Sequence, residues 1–149
     1  MLHRVIAGYD GHDGGRDAIA LAQALEPGLL TVLLAYGPRT IISPVAAITY
    51  WDDLRDEARR RVAEACREPA IAADQRVAFD TSAARALRDA AVEQHADLVV
   101  VGSSHRGPIG RLLAGDVGST LLQDCPCPVA IAPRGLRDAA CKEAWGLRD

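Results

Sequence analysis

The stretch from Leu98 to Ser119, LVVVGSSHRGPIGRLLAGDVGS, constrains the fold of this chain more than any other. Leu98, Val99, Val100 and Val101 form a short run of branched apolar residues that reads as a buried parallel strand, ended by Gly102. Five glycines, Gly102, Gly107, Gly110, Gly115 and Gly118, fall within seventeen positions, interleaved with Ser103, Ser104, His105, Arg106 and Arg111. Backbone N–H groups in such a loop can approach an anion closely, and a helix start beyond it supplies further free donors. The first expectation is a phosphate-binding loop at the end of a buried strand.

The rest of the chain supplies the sheet that such a strand needs. Arg4 to Tyr9 (RVIAGY) reads as a first strand closed by Asp10-Gly11, and Gly14, Gly15 and Asp17 lead into a helix with Ala18, Leu21, Ala22 and Leu25 on one face. Pro27-Gly28 ends that helix, and Leu29 to Ala35 is a second buried strand, so the chain opens with a parallel strand, helix, strand unit. Residues 37 to 50 form an apolar connection with Pro38 and Pro44, which reads either as a satellite core or as a lid or subunit contact. A helix from about Trp51 to Glu68 turns Leu54, Ala58, Val62, Ala65 and Cys66 inward, with Asp56 and Arg60 spaced for an ion pair.

Gln75 to Phe79 makes a third strand, and Ser82 caps a helix running to about Gln94 with Ala83, Leu87, Ala90 and Ala91 buried. After the glycine loop a helix is expected from Gly115 or Asp116, because glycines weaken a helix interior by about 1 kcal/mol each. Val129 to Ala132 is the fifth strand. Strands alternating with helices predict a doubly wound, Rossmann-like α/β fold with five parallel strands, whose ligands lie beyond the carboxyl ends of the strands. Asp10, Ala35, Tyr36 and Gly102 all fall at such ends. Residues 1–134 read as the domain, and 135–149 as a tail or linker.

Composition narrows the partners. A chain of 149 residues is enough for one domain that buries roughly two-thirds of its unfolded surface. A net charge of −3 argues against nucleic-acid or anionic-membrane binding, which needs clustered excess Lys and Arg. No apolar run approaches the ~20 residues of a membrane span, and no leader is evident, so the expected compartment is the cytoplasm. Cys66, Cys125, Cys127 and Cys141 match neither a paired zinc pattern nor a secreted disulfide framework, and Cys125-Pro126-Cys127-Pro128 reads as an extended segment with reduced packing thiols.

Several familiar chemistries are excluded by spelling. A P-loop needs GxxxxGK[ST], and the one lysine is Lys142. The dinucleotide fingerprint GxGxxG is absent after the first strand, where the glycines are Gly8, Gly11, Gly14 and Gly15. A receiver-type phosphoacceptor lacks its lysine near the fifth strand. There is no GxSxG, and Ser103 beside His105 does not make a triad. Asp10, His12 and Asp13 read as turn and capping residues before they read as metal ligands. No metal site and no catalytic base are expected, and His3 and His95 have no special context.

The segment VVVGSSHRGPIGRLLAGDVGSTLLQDCPCPV, together with VIAGYDG in the first strand, resembles the universal stress protein family over residues 4 to 134. That resemblance implies the adenine nucleotide alpha hydrolase-like variant of the fold, with strand order 3-2-1-4-5 and a homodimer pairing through the last strand. It also implies an adenine nucleotide, ATP or AMP, held by the pattern G-x2-G-x9-G-[S/T]. Gly102 stands at the first glycine and Gly115 at the third, while His105 and Asp116 depart at the second glycine and the Ser/Thr place. On this resemblance Asp10 and Tyr36 flank the base and Gly102 meets the ribose, with Gly8, Tyr9, Ala35 and Val101 as further nucleotide-binding residues at the strand ends. His105, Arg106, Gly107, Gly110, Gly115, Asp116, Val117, Gly118 and Ser119 surround the phosphates.

A carboxylate in the first turn of a helix suits the free protein but competes with a phosphate for the same N–H groups. Asp116 therefore predicts weakened ATP binding, or Mg²⁺ bridged by Asp116, or a less anionic ligand such as AMP. The leading expectation is a stress-response regulator that binds an adenine nucleotide. The alternatives are an interaction domain of the same family without nucleotide, and slow ATP hydrolysis with Asp10 or Asp116 positioning water.

Overall fold

A computed structural model describes residues 1–37, 44–67, 71–103 and 116–137. The expected phosphate residues His105, Arg106, Gly107, Gly110 and Gly115 lie outside the described residues, as do 38–43 of the apolar connection and 138–149 of the tail. In chain order the elements are β1 (Arg4–Gly8), α1 (Asp13–Ala24), β2 (Leu29–Tyr36), α2 (Pro44–Arg67) and β3 (Asp74–Phe79). They continue as α3 (Ala83–Gln94), β4 (Leu98–Gly102), α4 (Asp116–Asp124) and β5 (Val129–Ala132). The strands form one sheet in the order β3-β2-β1-β4-β5, and every pairing is parallel.

Alternation along each strand divides the core in two. Val5, Ala7 and Tyr9 with Leu30, Val32 and Leu34 face α1 and α2, where Ala18, Ala22, Ala58, Val62 and Cys66 meet them. Ile6 and Leu33 with Val99 and Val101 face α3 and α4, where Leu87, Ala90, Ala91 and Leu121 close the layer. The near-continuous apolar runs of the strands follow from this burial on both faces.

Local chemistry explains the element ends. Ser82 accepts the Arg85 amide at 3.2 Å as the N-cap of α3, and Asp80 accepts the Ser82 amide at 2.8 Å just before it. His95 ends α3 in the left-handed conformation at φ 50°. The α2 helix begins at Pro44 rather than near Trp51, because a proline in the first turn lacks only an N–H that would have no acceptor there. Within α2 Arg60 pairs with Glu57 and not with Asp56, at 2.7 Å. Leu25, expected on the buried face of α1, is the exposed C-cap residue, and Ile19 is buried in its place.

The packed chain runs on past Arg134. Leu136 is fully buried, and the amides of Gly135 and Arg137 donate to the Asp17 carboxylate at 2.9 and 3.2 Å. Asp17 is only 1% exposed, and Arg137 also reaches Asp13 at 2.8 Å. A buried carboxylate needs such donors, so Asp17 ties the segment after β5 to α1.

Candidate functional site

In the strand order β3-β2-β1-β4-β5 the chain reverses direction across the sheet between β1 and β4, the place where open α/β sheets leave a crevice beyond the strand ends. A cavity of about 380 Å³ opens there. Its floor is Gly8, Leu33, Ala35 and Val101 from the strands and Ala83, Leu87 and Val117 from α3 and α4. Its rim carries the more exposed Asp10, Gly102, Ser103 and Asp116, and the buried Gly15 and Gly118 also line it.

Pairs of small and large residues at the strand ends create this space. Gly8 ends β1 with Tyr9 directly after it, and Ala35 and Tyr36 end β2. Alternation sends the tyrosines to the α1 and α2 face and leaves a glycine and an alanine on the other. Tyr36, expected beside a base, therefore packs away from the cavity, its ring 5.5 Å from Phe79 in an edge contact. Phe79 in turn meets Trp51 at 5.3 Å. Tyr9 is buried among core residues and only part of it reaches the cavity wall; burial pushes its phenol up, and Arg16 pulls the other way.

Glycines bring the helix starts close to the strands. A Cβ on Gly102 would lie 2.1 Å from the Gly14 carbonyl oxygen, so α1 sits directly on the end of β4. A Cβ on Gly15 would lie 2.7 Å from both an Asp10 carboxylate oxygen and the Tyr9 ring. The Asp10 carboxylate accepts the His12 amide at 2.9 Å, an Asx turn that holds it at the rim. Gly11 completes the turn at φ +84°.

At the opposite rim α4 begins at Asp116. Asp116, Val117 and Gly118, in the first described turn of α4, line the cavity there. Thr120 donates to the Asp116 carbonyl at 2.7 Å and steadies the turn. Asp80 lies below the start of α3, where Arg85 grips its carboxylate at 2.9 Å and, with the Ser82 amide, holds it below the usual carboxylate range. The cavity thus offers an apolar slot for a flat ring, and rim carboxylates, a hydroxyl and amides for ribose-like hydroxyls.

A model of the universal stress protein family matches residues 1–133. The chain belongs to that family. Among universal stress proteins it is 26% identical over 137 residues to one from Thermus aquaticus, an alignment covering 88% of this chain and 98% of the relative. It is 29% identical over 148 residues to one from Mycobacterium tuberculosis, covering 87% of this chain and 47% of that protein, about half its length. A solved universal stress protein in complex with cAMP is 28% identical, with a TM-score of 0.59 over 90% of this chain and 98% of that one.

For this universal stress protein the structure brings together Gly8, Tyr9, Asp10, Ala35, Val101, Gly102, Asp116, Val117 and Gly118 around one cavity. Ser119 is exposed on α4 and is not among the lining residues. Gly15, Leu33, Ala83, Leu87 and Ser103 line the cavity without having been singled out as site residues. Leu33 was legible by its period-two relation to Ala35, and Leu87 by its helical spacing from Ala83. Gly15 had no such signal, since its role depends on where α1 meets Asp10. Among the described residues no helix is long and apolar enough to cross a membrane, and no three His, Cys, Asp or Glu side chains cluster to hold a metal.

Proposed function

We propose that this universal stress protein is a regulatory domain that binds an adenine nucleotide in the cavity between β1, β4 and α4. The observation that carries the proposal is the cavity itself, placed at the reversal point of the sheet with an apolar slot and a polar rim. A relative 28% identical to the chain is solved with cAMP, which supports a ligand of the same class. The slot would take the adenine between Ala35, Ala83 and Leu87. Asp10 and Ser103 would meet the ribose, and the start of α4 would meet phosphate. No residue at the cavity is assigned a catalytic role. The proposal extends to the cytoplasm as compartment and to a homodimer paired through β5, an edge strand of the sheet.

Asp10 and Asp116 are both at the rim, and no Lys or Arg is among the described lining residues. Two carboxylates disfavour a polyphosphate unless a divalent ion bridges them. The ligand is therefore AMP or a cyclic monophosphate before it is ATP, and ATP binds with Mg²⁺. Titration calorimetry of the wild type and Asp116→Ser with AMP and with ATP, each with and without Mg²⁺, tests this. Asp116→Ser is expected to tighten Mg²⁺-free ATP by about tenfold, on the order of 1.4 kcal/mol, and AMP by less. Equal affinities throughout would remove the role of Asp116. Absence of binding in both proteins would leave an interaction domain without nucleotide.

A further inference from the structure

β3 is one edge of the sheet, with β2 as its strand partner on the inner side. Just past its end the Asp80 amide donates to the Tyr36 carbonyl at 2.8 Å, so at residue 80 the backbone turns its polar groups toward β2. Successive residues of a strand turn theirs to opposite edges, which leaves the N–H and C=O of Gln75, Val77 and Phe79 facing outward. Such an edge is a template for another strand, and its side chains decide which one it accepts.

Asp74 and Arg76 flank Gln75 on the α3 side of the strand, where Arg76 Nε donates to Asp74 at 2.7 Å and Nη1 to Glu93 at 3.4 Å. Among the described residues, Nη2 of Arg76 and the second oxygen of Asp74 have no partner. An antiparallel pair with its two-fold axis through Gln75 lets residues 73, 75 and 77 exchange hydrogen bonds. Asp74 then stands opposite Arg76 of the second copy, and Arg76 opposite its Asp74, at the closely spaced positions where opposite charges attract. On the α2 side Phe79, 56% exposed, comes opposite Ile71 of the second copy, a residue packed at the margin of the core. Other axes fail on charge. An axis through Asp74 or Arg76 sets that charge against its own copy, and one through Val77 opposes Asp74 to Asp80. One through Ala78 offers Arg76 only Asp80, whose side chain is 13% exposed and already held by Arg85.

We propose that β3 docks a second copy of this chain, the two β3 strands pairing antiparallel about an axis through Gln75 and joining two sheets into one. Edge charges of a single sign would repel every register, whereas the alternation of Asp74 and Arg76 repels the neighbouring registers and favours this one. The paired stretch is short, so the association is weak and depends on concentration. β5 lies at the far edge of the sheet, and pairing there neither supplies nor blocks this contact. None of residues 73–79 lines the nucleotide cavity, so the contact is independent of ligand.

A cross-link at the axis reads this edge and no other. Directly opposed residues of a hydrogen-bonded pair have Cα atoms about 5.5 Å apart, within disulfide reach. Mild oxidation of the full chain carrying Gln75→Cys and Cys141→Ser is expected to give a covalent dimer, with the bond mapped by mass spectrometry to residue 75 in both copies. Adding Asp74→Arg or Arg76→Asp sets like charges opposite each other, and either is expected to cut the cross-linking rate about tenfold. Mixing those two variants one to one restores opposite charges at both positions, and the rate is expected to recover as a mixed dimer. That recovery separates pairing from any damage to the fold, because a misfolded variant would not be rescued by the other. No cross-link at residue 75 in the first chain, a rate unchanged by both charge variants, or no recovery on mixing overturns the proposal.

Discussion

The two faces of the sheet are built from the same five strands, yet one is filled and the other is open at the strand ends. On the α1 and α2 face, Tyr9 and Tyr36 fill the level at which Gly8 and Ala35 leave a cavity on the α3 and α4 face. One face is therefore filled by packing, and the other opens into a cavity. What separates them is a one-residue step along each strand, which reverses the side of the sheet a residue serves.

The largest expected effect breaks the closed face. Gly102→Ala puts a methyl group 2.1 Å from the Gly14 carbonyl oxygen, where backbone and not a movable side chain stands in the way. Denaturant unfolding is expected to show a loss of about 3 kcal/mol, and heating a Tm lower by roughly 10 °C. A loss below about 0.5 kcal/mol would mean that α1 can back away and that this contact does not define the face.

A pair of neighbouring substitutions sharpens the comparison. Ala35→Leu extends into the cavity and is expected to weaken adenine nucleotide at least tenfold while leaving the fold intact. Tyr36→Leu acts on the other face, where it removes the ring contact with Phe79. Nucleotide affinity there is expected to stay within about twofold while stability falls by about 1 kcal/mol. Equal effects of the two on binding would show that the tyrosine side also serves the ligand.

The smallest effect concerns the start of α3, on the open side of the sheet. Arg85 first, and the Ser82 amide second, lower the Asp80 carboxyl from its ordinary value. A folded-state value below the unfolded one stabilises above about pH 4 and ceases to do so as pH falls through the folded value. The Tm of wild type is therefore expected to exceed that of Asp80→Asn at neutral pH, with the gap closing below about pH 4. A gap independent of pH would assign the difference to packing instead of charge.

Particular residues show how much of this was legible. Ser82 as a cap and the strand at Val129–Ala132 follow from local sequence, because capping and strand chemistry act within a few residues. The start of α2 at Pro44 was not legible, because an apolar run broken by prolines reads as a connection, although proline is at home in a first helical turn. Tyr36 falls at the end of β2, where the family resemblance implies a base pocket, but alternation along the strand turns its ring toward Phe79 on the other face. Asp17 carried no signal of its partners, which lie 118 and 120 residues further along the chain.

By itself the sequence determined the alternation of strands and helices and the glycines at the strand ends. Through its resemblance to the universal stress proteins it also determined the order of the strands. These are properties of short-range periodicity and backbone conformation, which a chain carries wherever it goes. Only the tertiary structure decided which side of each strand opens, that the stretch from Leu98 forms the wall of a cavity with Gly8 and Ala35, and that Gly102 is needed for α1. Those outcomes depend on which surfaces meet, and such meetings are set by packing between segments far apart in the chain.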